Sequence, residues 1–86
     1  MYRVVFSRQA DKDRRLIAQA GLERRTKALL AVLASDPFRS PPPYEKLVGD
    51  LAGFYSRRIN RQHRLVYAVY PEQTAVKVLR VWTHYE

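Results

Sequence analysis

Residues 54–82 constrain this chain more than any other stretch. Three segments rich in β-branched and aromatic side chains, 54–59, 63–70 and 75–82, are separated only by Asn60-Arg61-Gln62 and Pro71-Glu72-Gln73-Thr74. Runs of that length and composition read as strands, and the separators carry turn residues. A connection of three or four residues cannot return the chain to the start of a parallel neighbour, so successive strands pair antiparallel. The 86-residue chain is therefore built around a β-meander. Its middle segment is almost wholly apolar from Leu65 to Val69, which predicts a central strand buried on both faces.

The amino-terminal half supplies what packs on that meander. Tyr2–Phe6 reads as a further strand. Ser7 can accept a backbone N–H at a helix start, and residues 9–20 then read as a helix with a thin apolar stripe, Ala10, Ile17 and Ala20. After Gly21, Leu22, Thr26, Leu29, Leu30 and Leu33 recur at helical spacing, with Glu23, Arg24, Arg25 and Lys27 between them. That is an amphipathic helix with one core face. It is predicted to stop near Ser35-Asp36-Pro37, because proline disfavours a helical conformation in the residue before it. Ser40-Pro41-Pro42-Pro43 is a stiff connector inside one domain, 1–86. Residues 45–51 are expected to hold a short strand before a turn at 50–53. The fold expected is α+β: two N-terminal helices packed on one face of a twisted, mainly antiparallel sheet of four to five strands, the other face open to water.

The charge is concentrated on the meander. Four arginines and a histidine fall within the eight residues 57–64. If the hairpin is symmetric about Arg61, Arg58 lies across from Arg64 and Ser56 across from Val66. Two guanidiniums directly opposed repel each other unless an anion lies between them, an arrangement that favours a ligand over stability. In the last strand Arg80, Trp82 and His84 alternate and are expected to share a side. The carboxy-terminal His84-Tyr85 adds a group titrating near neutrality and a ring on which a base can stack. Glu45 stands after the proline run in this positive surround, where it reads as a surface ion pair.

Composition narrows the function. Sixteen Lys plus Arg against eight Asp plus Glu give +8 at pH 7, which favours a polyanionic partner, nucleic acid first. The chain has no cysteine and two histidines, so thiol nucleophiles, disulfides, thiolate metal sites and His-rich metal sites are excluded and no cofactor or metal is expected. No apolar run is long enough for a bilayer, and the first residues are too quickly followed by charge for a signal peptide. A soluble cytoplasmic protein without membrane contact is expected.

With these residues in view, the chain resembles the Txe/YoeB family of toxins, in the RelE/ParE superfamily. The resemblance is carried by Asp36-Pro37-Phe38, Glu45 and Leu47. It continues through Leu51-Ala52-Gly53-Phe54-Tyr55-Ser56-Arg57-Arg58-Ile59 and His63-Arg64-Leu65-Val66-Tyr67-Ala68, and ends on His84-Tyr85. The first 35 residues match in pattern only. The chain departs from the family in its Ser40-Pro41-Pro42-Pro43-Tyr44 connector, usually glycine-rich with a Lys-Pro pair. It departs also at Val48, where a polar residue is common, and in Glu86 beyond the usual terminal tyrosine.

The resemblance implies a toxin of a type II toxin–antitoxin pair that cuts messenger RNA in the ribosomal A site by 2′-hydroxyl attack, without metal. It implies a cognate acidic antitoxin, and messenger RNA and the 70S ribosome as further partners. Its catalytic positions fall on Glu45, Arg58, Arg64, His84 and Tyr85. Glu45 is then the base and His84 the acid; Arg58 and Arg64 hold the phosphate, and Tyr85 orients the nucleotide. Arg57, Arg61, Arg14, Arg15, Arg24 and Arg25 are assigned to RNA backbone contact.

Each assignment has a plain rival. His84 could be a frayed chain end, Arg58 and Arg64 could pair with Asp50 or Glu72, and Trp82 could be core. Two other functions stay open: a non-enzymatic toxin binding a protein such as gyrase, and a catalytically decayed RNA-binding relative. Whether the active form is a homodimer stays open too.

Overall fold

A computed structural model of the chain describes residues 1–83. Among them the order is β1 (Arg3–Phe6), α1 (Arg8–Gln19), α2 (Glu23–Ser35), β2 (Glu45–Lys46), β3 (Tyr55–Arg58), β4 (His63–Tyr70) and β5 (Ala75–Thr83). The described strands form one sheet in the order β1-β5-β4-β3-β2. Neighbours from β2 to β5 pair antiparallel, as their short turns require. β1 lies parallel to β5, Arg3 opposite Ala75, a pairing that no local turn announces. The α+β, mainly antiparallel expectation holds, with five strands.

Local chemistry sets the helix ends. Ser7 Oγ accepts the Ala10 N–H at 3.0 Å and donates to the Leu79 carbonyl at 2.9 Å. One hydroxyl therefore caps α1 and ties its start to β5. Gly21 follows α1 at φ 77°, a left-handed conformation that costs glycine little. α2 stops two residues before Pro37. Both helices bury their stripes on one sheet face, where Ala10, Ile17, Leu29 and Leu33 meet Leu65, Tyr67, Val76, Val78 and Val81. Ala20 is exposed, so the α1 stripe is thinner than expected.

The face away from the helices is less open than expected. Val66 and Ala68 of β4 are buried there, while Leu65 and Tyr67 are buried against the helices. The unbroken apolar run of this central strand keeps both of its faces out of water. Elsewhere on that face Arg58 of β3 and Lys77 of β5 are exposed, and Val5 of β1 stands opposite Lys77.

The α1 stripe contains an acid. Asp13 is 3% exposed and lies between Ala10 and Ile17. It accepts from Arg80 Nε at 2.8 Å, from the Val81 N–H at 3.0 Å and from Gln9 Nε2 at 3.1 Å. Burial pushes the Asp13 carboxyl up, but the bonds from Arg80, Val81 and Gln9 outweigh it and hold the group below its ordinary value. The β4–β5 register shifts at Val66/Tyr67, next to the Arg80 that reaches Asp13. Val66 faces Arg80 and Tyr67 faces Val78, which leaves Leu79 unmatched. An extra residue of this kind re-aims its neighbour. The Arg80 guanidinium meets Asp13 of α1, while the register keeps Arg80 and Trp82 at alternate positions, opposite Val66 and Arg64.

Candidate active site

The β3–β4 ladder has the register that the symmetric hairpin predicts, Ser56 opposite Val66 and Arg58 opposite Arg64. β2 adds Glu45 opposite Ser56. Cross-strand partners share a face, so Glu45, Ser56, Arg58 and Arg64 lie together on the face away from the helices. Arg64 Nη1 donates to Glu45 Oε1 at 3.1 Å and to Ser56 Oγ at 2.9 Å. Arg64 is thus paired with Glu45 and not with Asp50 or Glu72. The Glu45 side chain is 65% exposed and that of Arg64 21%. At that exposure the pair adds on the order of 0–1 kcal/mol to stability.

These groups enclose a shallow cavity of about 70 Å³, lined by Pro43, Tyr44, Glu45, Ser56, Arg58 and Arg64. The hollow is small, and its guanidinium-bearing lining suits an anionic phosphoryl group. A carboxylate, two guanidiniums and a hydroxyl at one small hollow can take a proton and neutralise an oxyanion. Ser56 is a member that sequence reasoning missed. Its signal was there: it alternates with Arg58 and stands opposite Val66 on the face away from the helices.

Arg57 is a correction. It was assigned to RNA contact but is 1% exposed. In a strand the residue beside Arg58 points to the other face, and Arg57 faces inward opposite Leu65. Its Nε donates to Tyr67 Oη at 3.1 Å, and its Nη2 to the carbonyls of Pro37 and Arg39, each at 2.9 Å. Nη1 donates to the Pro42 carbonyl. The guanidinium also sits 5.0 Å from the centre of the Tyr44 ring. Among the described residues no carboxylate pairs with it. Carbonyl dipoles and an aromatic face therefore compensate the buried charge. Burial pushes the Tyr67 hydroxyl up, against the pull of Arg57, so it accepts this bond as a neutral phenol.

The remaining arginines are spread over other surfaces. Arg61 and Arg25 line a cleft at the tip of the β3–β4 hairpin. Arg14 and Arg15 line a second cleft between the helices, of about 550 Å³. Arg14 lies 4.3 Å from the centre of the Phe6 ring and pairs with Asp11. Arg24 is exposed on α2. These clefts are larger than the Glu45–Arg64 hollow, but neither sets a carboxylate against opposed guanidiniums on a rigid ladder. His63 Nδ1 lies 3.0 Å from Asn60 Oδ1 inside the turn. His84 and Tyr85 lie outside the described residues.

Comparison with known proteins follows the same lines. Residues 18–85 match the family described as YoeB-like toxin of bacterial type II toxin-antitoxin system. Toxin YoeB of Streptomyces coelicolor is 38% identical over 76 residues, 88% of this chain and 81% of that protein. A YoeB/ParE toxin from Agrobacterium tumefaciens superimposes with a TM-score of 0.85 at 28% identity, covering 96% of this chain and 99% of that one. The toxin–antitoxin complex YoeB-YefM from Staphylococcus aureus, a heterotetramer, gives 0.81 at 32% identity over 99% of each chain.

Proposed function

This chain belongs to the YoeB-like toxins of bacterial type II toxin–antitoxin systems, and we propose that it is an endoribonuclease acting on messenger RNA in the ribosomal A site. The observation that carries the proposal is the Glu45–Arg64 contact at 3.1 Å, with Arg58 opposite in the ladder, beside a small hollow that these side chains line. Cutting RNA without a metal needs a base for the 2′-hydroxyl, cations for the phosphorane oxygens and an acid for the departing 5′-oxygen. Glu45 is the base. Its Oε1 holds Arg64, and Oε2 is left for the 2′-hydroxyl proton. The 2′-oxygen bonds to phosphorus as the bond to the 5′-oxygen breaks. Arg64 has donors to spare beyond Glu45 and Ser56, and with Arg58 it holds the non-bridging oxygens in the fork geometry that guanidinium allows. His84 gives its proton to the 5′-oxygen, and Tyr85 orients the nucleotide; both roles rest on the family resemblance. The products are a 2′,3′-cyclic phosphate and a 5′-hydroxyl. Each acid–base partner supplies on the order of 10²–10⁴-fold.

The cationic surfaces at Arg14, Arg15, Arg24, Arg25 and Arg61 serve ribosomal RNA backbone contact. An acidic antitoxin is the physiological inhibitor; the similar staphylococcal protein is described in complex with its antitoxin YefM.

The test is to express the chain from a tight promoter and map messenger 5′ ends on ribosomes, beside Glu45→Gln, Arg64→Ala and His84→Ala. Cuts at fixed codon positions that fade in all three variants support the proposal. Growth arrest that survives the substitutions while messages stay intact overturns it and favours a protein target such as gyrase.

A further inference from the structure

The carboxylate at the hollow stands on a weak support. β2 is two residues long, and a ladder that short does not hold its own register. What precedes it is the proline connector, and the connector is fastened at one point. Arg57 gathers the carbonyls of Pro37, Arg39 and Pro42 around a single buried guanidinium. From the Pro42 carbonyl to Glu45 the chain has three residues, at most ~10 Å of reach at ~3.3–3.6 Å each. Pro43 fixes one of the intervening torsions. The Tyr44 ring lies over the Arg57 guanidinium and packs 5.8 Å from the Tyr55 ring. Anchor, stiff link and aromatic clamp follow one another directly into Glu45. Arg57 itself is on β3, one residue from Arg58 and opposite the neighbour of Arg64. The ladder that presents the phosphate-holding guanidiniums thereby also carries the anchor of the base.

We infer that Arg57 is a positioning residue, which sets where the Glu45 carboxylate stands relative to the Arg64 guanidinium by holding the carbonyls of the proline connector. The inference rests on the reading of Glu45 as the base. Lysine at position 57 keeps the charge but cannot reproduce a fork bonded to four acceptors. The connector then drifts, and Glu45 drifts with it. A displacement of about 1 Å in a catalytic group costs up to ~10²-fold in rate.

The experiment measures single-turnover cleavage of messenger RNA on programmed ribosomes by Arg57→Lys, Glu45→Gln and the double variant, with folding checked by thermal melting. The expected result for Arg57→Lys is a rate lowered about ten- to a hundredfold with the half-saturating ribosome concentration little changed. The double variant is expected to be no slower than Glu45→Gln alone. An unchanged rate in Arg57→Lys, or losses that multiply in the double variant, overturns the inference, because a residue that only stabilises the fold acts independently of Glu45. If Glu45→Gln itself cleaves at full rate, the base assignment falls, and amide exchange decides the positioning claim. Faster exchange at Tyr44, Glu45 and Lys46 in Arg57→Lys, with Leu65 and Val66 still protected, supports it; unchanged protection overturns it. Should Arg57→Lys fail to fold, Tyr67→Phe takes its place under the same criteria, since it strips the acceptor from Arg57 Nε and leaves the ring.

Discussion

Arg57 and Arg58 are adjacent and chemically identical, yet one is 1% exposed and the other open to water. Strand alternation puts them on opposite faces, and their substitutions should separate just as cleanly. Arg57→Ala removes a buried charge and orphans up to four acceptors, so chemical denaturation should show a loss of ~3–5 kcal/mol. Arg58→Ala should leave stability within ~0.5 kcal/mol while weakening cleavage. Asp13 makes a second residue-scale prediction. Its folded-state pKa lies below the ordinary 3.8. Its contribution is therefore present in full above that value and is lost as pH falls through the lower, folded-state pKa. Melting curves from pH 6 down to pH 2 should fall for the wild type, and the fall should be shallower in Asp13→Asn, which should also be less stable at neutral pH by roughly 1.5–3 kcal/mol. Asp13 was legible in principle: an acid at the centre of the stripe Ala10–Ile17 must be buried and must find donors.

Elements meet at a few polar joints. Ser7 is one, capping α1 and bonding the Leu79 carbonyl where the β4–β5 register shifts. Ser7→Ala should cost ~1–2 kcal/mol, seen as a Tm lower by roughly 4–8 °C per kcal/mol. The register shift is the other joint. Beside it Arg80 and the Val81 N–H meet Asp13, so β5 is fastened to α1. Neither joint is written in the strand pattern, because an extra residue leaves the apolar periodicity on each side of it intact.

At the scale of the molecule, a net charge of +8 and arginines on both helices, the hairpin tip and the open sheet face predict salt-dependent association. Affinity for ribosomes, and for an acidic antitoxin, should drop steeply as salt is raised from 50 to 200 mM, in binding titrations at constant pH. The sequence by itself determined the meander, the helix ends, the opposed Arg58 and Arg64, and an apolar central strand. These depend on period, turn residues and proline, all of which act within a few positions of the chain. The parallel partnership of β1 with β5, the contact of Arg80 with Asp13, the burial of Arg57 and the meeting of Glu45 with Arg64 and Ser56 were decided by the tertiary structure alone. Each joins groups whose separation along the chain has no periodic signature. Which of two like side chains is buried depends on what the distant connector brings to it: here, three carbonyls and a tyrosine ring around Arg57.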